Sequence, residues 1–254
     1  MATTAKQTDI KEHHSHAYSL IAYSVFAYVI GVTGLAALVF AMAGLLPLGQ
    51  MVVVADNNVS AGFVNLLLLA IWGGQHSIMA RPAFKSWINR HFSAALERSN
   101  YVLMSGAALM LVVVLWQPLN GVGWQVEGRA AILFWLMFVA GWSYLLAATF
   151  AINHFDLFGL RQAWLAAHNR EYTPLPFKEN WMYRYSRHPI MLGVLVGVWF
   201  TPAMTASALM MAVGLTIYIA IGVYFEEKDL RNSIGPRYDD YRRRVGALFT
   251  LRKH

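Results

Sequence analysis

Two stretches in the C-terminal part of the chain combine residue types that can do chemistry beside apolar helices. In YRYSRHPIMLG (183–193), Arg187 and His188 precede Pro189, a residue suited to the first position of a helix. A helix N-terminus offers free N–H groups and partial positive charge to a ligand carboxylate, and Gly193, one turn on, permits close approach. A proline-started helix at a basic membrane edge accounts for Arg187 and Pro189, but not for His188 and Gly193 together. In YFEEKDLRNSIGPRYDDYRRRV (224–245), Glu226 and Glu227 follow an apolar run. Carboxylates in such a place can hold hydroxyls, amines or a sulfonium. The acids, bases and tyrosines of 237–245 read equally well as an amphipathic surface helix.

Three further polar groups of residues interrupt apolar sequence. AINHFDLFGLRQAW (151–164) sets Asn153, His154, Asp156 and Arg161 among aromatics. Asp156 and Arg161 can pair with each other, but buried polar groups need partners, and the whole set is more than one helix end requires; a bound ligand would supply the rest. WGGQHSIMARP (72–82) carries Gln75, His76 and Ser77 near the end of a span. These serve either interhelical packing or a site. The HHSH cluster (His13, His14, His16) reads as part of a solvated, mobile segment over 1–16 rather than a metal site, since no further ligand at helical spacing accompanies it.

The elements that must position these residues are membrane helices. Of the 254 residues 57% are hydrophobic and 13% charged, about half the charge of a soluble globular chain. Apolar runs long enough to cross a ~30 Å hydrocarbon core are expected at 18–46, 61–80, 100–117 and 130–152. The final run, 187–225, is too long for one crossing. Thr201-Pro202 divides it into a short helix (189–200) and a longer one (203–225), folded as a hairpin. The expected architecture is all-α: a polytopic bundle of five to six spans with a C-terminal helix on one face, forming a single domain over 1–254. With six crossings, 19 of the 20 Lys and Arg fall on one side, Arg129 being the exception. The positive-inside rule makes that side cytoplasmic, together with both termini and the stretches 153–161, 187–193 and 226–241, which are expected to converge on one pocket.

Several function classes fall away. Without cysteine there is no disulfide, thiolate metal site or cysteine nucleophile. The net charge of +7 belongs to membrane topology and anionic headgroups, not to nucleic acid. The first apolar run is too long for a signal peptide and stays as a span. No G-x-G-x-x-G or alternating βαβ pattern marks a dinucleotide fold. No feature bears on oligomeric state.

The order Arg187-His188-Pro189, Gly193, an apolar hairpin, Glu226-Glu227, Leu230, then Gly235, Tyr238 and Tyr241 resembles the membrane methyltransferases related to isoprenylcysteine carboxyl methyltransferase and to phospholipid methyltransferases. QHSIMARPAFK and NHFDLFGLRQAW are similar to the methanethiol S-methyltransferase branch, which makes dimethyl sulfide. Met191 stands where the carboxyl methyltransferases have tyrosine, which suits a small, soft, apolar acceptor. The resemblance implies that S-adenosyl-L-methionine is held by Arg187, His188, Pro189, Gly193, Glu226, Glu227 and Tyr241. It implies a small volatile thiol as acceptor and a lipid bilayer as surroundings. A thiol must lose its proton to attack, so a base near neutrality is useful; His154 or His76 is the candidate, with Arg161 as a further catalytic cation. The same fold could serve an isoprenylcysteine carboxylate or a lipid acceptor, or a non-catalytic NnrU-like membrane protein.

Overall fold

The computed structural model describes residues 2–250, with side chains from Ala17 onward; the His13, His14 and His16 side chains lie outside the described residues. The helices are α1 (Ala2–Met42), α2 (Asn58–Ala80), α3 (Pro82–Ile88), α4 (Glu97–Leu115), α5 (Gly128–Ile152), α6 (His154–Leu157), α7 (Leu160–Ala167), α8 (Pro189–Trp199), α9 (Ala206–Ile234) and α10 (Pro236–Arg244). Among the described residues, five helical stretches are long and apolar enough to cross a membrane: Ala17–Met42, Asn58–Ala80, Ala94–Leu115, Gly128–Ile152 and Ala206–Ile234. Pro189–Trp199 is the shorter apolar arm. The bundle of five spans plus a partial one is thus as the apolar runs require.

Two features around the C-terminal hairpin differ from the expectation, for identifiable reasons. The last span does not end at 225: α9 runs on to Ile234, so Glu226 and Glu227 stand on the helix itself. Residues 226–234 contain no glycine or proline to stop it, and the stop comes at Gly235 (φ 72) followed by Pro236. The turn after α8 also does more than reverse the chain. Its residues Ala203–Thr205 (β2) pair antiparallel with Val122–Gln125 (β1), with Val122 opposite Thr205 and Gln125 opposite Ala203.

The chain forms two compact units, each discontinuous in sequence. The first comprises residues 1–35, 74–110 and 153–175; the second comprises 36–73, 111–152 and 176–254. In lipid, helices gain nothing by burying apolar surface against one another, so association rests on close van der Waals contact between small residues. Each unit has such a crossing. In the first, Gly31 and Gly34 of α1 meet Gly106 of α4, where an added Cβ on Gly106 would fall 2.5 Å from Gly31 Cα. In the second, α8 lies chiefly along α5. There a Cβ on Gly141 would reach Gly197 N at 2.5 Å, and one on Gly193 would reach Leu145 N at 2.7 Å.

The second unit also buries an amide pair. Gln117 N donates to Asn65 Oδ1 (2.7 Å), and Asn65 Nδ2 donates back to the Gln117 carbonyl (2.9 Å). The Gln117 side chain then accepts from Val54 N and Ala55 N and donates to the carbonyls of Val52 and Leu115. One side chain thereby pins the α1–α2 loop to the end of α4. Gln117→Leu leaves two backbone donors and two carbonyls without this partner. At about 1–3 kcal/mol for each buried group left unsatisfied, it should markedly lower the melting midpoint in detergent; an unchanged midpoint would show that other groups or water take over.

Candidate active site

In the second unit the Arg-His-Pro segment meets the end of α9. Arg187 Nε and Nη2 each lie 2.6 Å from Glu227 Oε1, and His188 Nε2 lies 3.0 Å from the same oxygen. Arg242 Nε of α10 pairs with the other oxygen at 2.8 Å. His188 Nδ1 lies 3.4 Å from Glu226 Oε2. Glu227 is therefore the hub of the cluster, its side chain 11% exposed. Glu226, at 46%, keeps much of its carboxylate open. Burial by itself pulls the His188 pKa down, but the hydrogen bonds and charges of Glu226 and Glu227 outweigh it and hold it above the ordinary value.

The local chain path follows from the sequence. Pro189 occupies the first turn of α8, where its missing N–H costs nothing. The preceding backbone is strapped by the chain end: Arg187 N donates to Gly246 O, His188 N to Ala247 O and Thr250 N to Tyr185 O, each at 3.0 Å. Arg187 Nη1 adds bonds to the carbonyls of Arg242 and Val245. Tyr241 is buried with Tyr238 and Val245 against Phe177, and its hydroxyl donates to Tyr183 O at 2.6 Å. Gly193 faces α5, so the close approach it permits is helix to helix. Tyr238 is 1% exposed and its hydroxyl has no hydrogen-bond partner among the described residues. Charges on Glu227 and Glu226 help burial push its pKa up to about 12, so it stays a donor.

The His188 shift makes stability depend on pH with a definite sign. A raised folded value means that the contribution is full below the ordinary value of about 6.5 and is lost as pH climbs through the folded value. Wild-type protein should therefore lose thermal stability between neutral and mildly alkaline pH, whereas His188→Gln should show a flatter profile over that window. Parallel profiles would remove His188 as the cause.

In the first unit, Asn153 caps α6 by accepting from Asp156 N at 3.1 Å. His154, 4% exposed, has Nε2 3.0 Å from the Tyr28 hydroxyl of α1 and its ring against Phe158. Desolvation holds its pKa below the ordinary value, so at neutral pH it is an uncharged imidazole able to accept a proton. Arg161 pairs with Asp156 Oδ1 at 2.7 Å, donates to Thr173 O and Oγ1, and lies over the Tyr172 ring. The turn between α6 and α7 needs Gly159: its φ is 87, and a Cβ there would sit 2.6 Å from Ser99 Oγ. Beside this turn is a cavity of about 390 Å³, walled by Ile21, Phe155, Leu160, Ala163 and Trp164 and edged by Ser24, Asn153 and Arg161.

His76 belongs to the same unit in a different setting. Its Nδ1 lies 2.9 Å from Ser105 Oγ and its Nε2 2.6 Å from the Tyr101 hydroxyl, with Arg98 over the Tyr101 ring. Sequence reasoning missed Tyr28, Tyr101, Ser105 and Arg242. The first three carry no local signal, being ordinary residues of apolar helices. Arg242 is one of three consecutive arginines and is singled out by its place one residue after Tyr241.

Among the described residues there is no cluster of His, Cys, Asp and Glu able to hold a metal. The chain is 45% identical over 205 residues, covering 80% of its length and 79% of the relative's, to methanethiol S-methyltransferase of Mycobacterium tuberculosis. It is 42% identical over 231 residues, covering 91% and 88%, to methanethiol S-methyltransferase 2 of Bradyrhizobium diazoefficiens. A more distant likeness, 28% over 177 residues and about two thirds of each chain, joins it to Nurim of Sus scrofa. No family profile matches the chain, and no solved structure matches it.

Proposed function

The chain belongs to the methanethiol S-methyltransferase family, and on that premise we propose that it is an integral membrane enzyme that methylates methanethiol to dimethyl sulfide, with S-adenosyl-L-methionine as donor. The observation that carries the residue assignment is the His188–Glu226 edge of the second unit's ion cluster. There an open carboxylate stands beside a histidine held toward its charged form. The donor's ammonium, carboxylate and ribose hydroxyls call for both an acceptor and cations. Glu226, Arg242 and the orphaned Tyr238 hydroxyl match that set. Glu226 is the contact for hydroxyl or amine; Glu227, already shared by Arg187, His188 and Arg242, positions the cations. Tyr241 and Gly193 act through the chain path, one holding 183–188 and the other seating α8. When bound, the cofactor supplies an electrophilic methyl group on a sulfonium.

The acceptor side is assigned to the first unit. His154 is the base in preference to His76 because its sequence neighbours Asn153 and Phe155 line the cavity. The thiol proton goes to His154 Nε2, directly or through the Tyr28 hydroxyl beside it. Arg161, paired with Asp156 at the cavity edge, braces the turn that follows His154. Charge is dispersed when a thiolate meets a sulfonium, so a site with few polar groups and little water suits the reaction. The bias of basic residues supports a cytoplasmic position for the termini and the active site.

Purified protein in detergent, given methyl-labelled S-adenosyl-L-methionine and methanethiol, should release labelled dimethyl sulfide. Label appearing only in lipid or in a prenylcysteine ester would assign the fold a different acceptor.

A further inference from the structure

Resting on the reading of the first unit as the acceptor side, we propose that the enzyme's substrate class is wider than methanethiol: uncharged aliphatic and aryl thiols of about four to six carbons are also methylated. The cavity beside the His154 turn measures about 390 Å³. Methanethiol has two heavy atoms, and at about 30 Å³ for each water-sized unit it fills only a small part of that space. Volumes of this order hold ligands many times larger.

The walls decide the chemistry of the remaining volume. Ile21, Phe155, Leu160, Ala163 and Trp164 are apolar, and Ile21 lies within the first membrane span. The one charged group at the edge, Arg161, is already neutralised by Asp156. An alkyl chain can fill this space without stranding a polar group, whereas cysteine or glutathione would bury charges with nothing to pair them. Each methylene buried there is worth about fourfold in affinity. Asn153 and Phe155 both line the cavity and flank His154 in sequence, which sets the cavity beside the segment that carries the base.

The chemical step is that of the parent reaction. The S–H proton passes to His154, the thiol sulfur forms a bond to the donor's methyl carbon, and the donor's sulfur keeps the electron pair of the broken S–CH3 bond. The products are an alkyl methyl sulfide and the demethylated donor.

The test uses full-length protein in detergent with methyl-labelled S-adenosyl-L-methionine and, in parallel, methanethiol, ethanethiol, butanethiol, hexanethiol and cysteine. Apparent KM should fall about fourfold per methylene from methanethiol to butanethiol, with no product from cysteine. Butyl methyl sulfide should bind by calorimetry more tightly than dimethyl sulfide. Ala163→Leu should cut kcat/KM for butanethiol at least tenfold relative to that for methanethiol, and Trp164→Ala, which enlarges the cavity, should shift preference toward hexanethiol. Methanethiol turnover without butanethiol turnover overturns the proposal and leaves the parent reading intact; so does a uniform effect of both variants on all thiols. Co-purified phospholipid displaced by Ala163→Leu, with no gain for longer thiols, overturns it in favour of a lipid occupant. No turnover of any thiol brings down the parent reading itself.

Discussion

Replacing Glu227 by Gln should lower the melting midpoint sharply and abolish donor binding. The carboxylate is the common partner of Arg187, His188 and Arg242, and the Arg187 side chain is only 10% exposed. Removing one partner of a buried pair leaves the other charge uncompensated, at a cost of about 3–5 kcal/mol. Gln keeps the shape and one acceptor, so the loss reports charge rather than volume. Because Arg187 also ties the backbone of 242–245 to the start of α8, a disturbed Arg187 frees the chain-end strap. Calorimetry with S-adenosylhomocysteine and a thermal scan check both parts. A stable variant that still binds would make the cluster incidental.

Replacing His154 by Ala should reduce kcat by about 10²–10⁴-fold, the usual worth of a general base, while donor binding is kept. The residue is buried, its imidazole is held neutral by desolvation, and Tyr28 orients it. In the wild type, the acid limb of the pH profile of kcat/KM should fall below about pH 6.5, the ordinary histidine value, because burial lowers the pKa. The limb should vanish in the variant. Tyr28→Phe should cost less and leave the limb in place if the hydroxyl only orients the ring. If His76→Ala shows the deficit and His154→Ala does not, the two histidines exchange roles.

Much of this was legible in the chain because membrane helices declare themselves by length and apolarity. The five long spans and the break at Thr201-Pro202 followed from those features alone. What failed was the equation of the end of apolar sequence with the end of a helix. The first span stops at Met42, before Gly44 (φ 73) and Pro47, although Leu45 and Leu46 remain apolar. The last runs nine residues past its apolar part because 226–234 offers no breaker. The β1–β2 ribbon was invisible, since two very short strands some 80 residues apart, Val122 opposite Thr205, leave no periodicity to read.

The site was half legible. Arg187, His188, Glu226 and Glu227 stood out because charge beside a long apolar helix is costly and therefore informative, and the structure joins them in one cluster. Asp156 and Arg161 likewise form the pair that their spacing allows. Partners distant in sequence were not legible. Tyr28 lies 126 residues from His154, and Arg242 lies 55 residues beyond Arg187, whose guanidinium bonds to its carbonyl. Nothing local marks Tyr28, and only its place after Tyr241 sets Arg242 apart from the two arginines that follow it. Gly193 illustrates the opposite error: its need for space is real, but the occupant of that space is α5.

The central claim is a division of labour, with Glu226 serving the donor and His154 the acceptor. Titrating S-adenosylhomocysteine into wild-type, Glu226→Gln and His154→Ala protein tests it most directly. His154→Ala should bind within about twofold of wild type although its kcat falls by about 10²–10⁴-fold, and Glu226→Gln should bind at least tenfold more weakly. Wild-type affinity in Glu226→Gln, or lost affinity in His154→Ala, would contradict it.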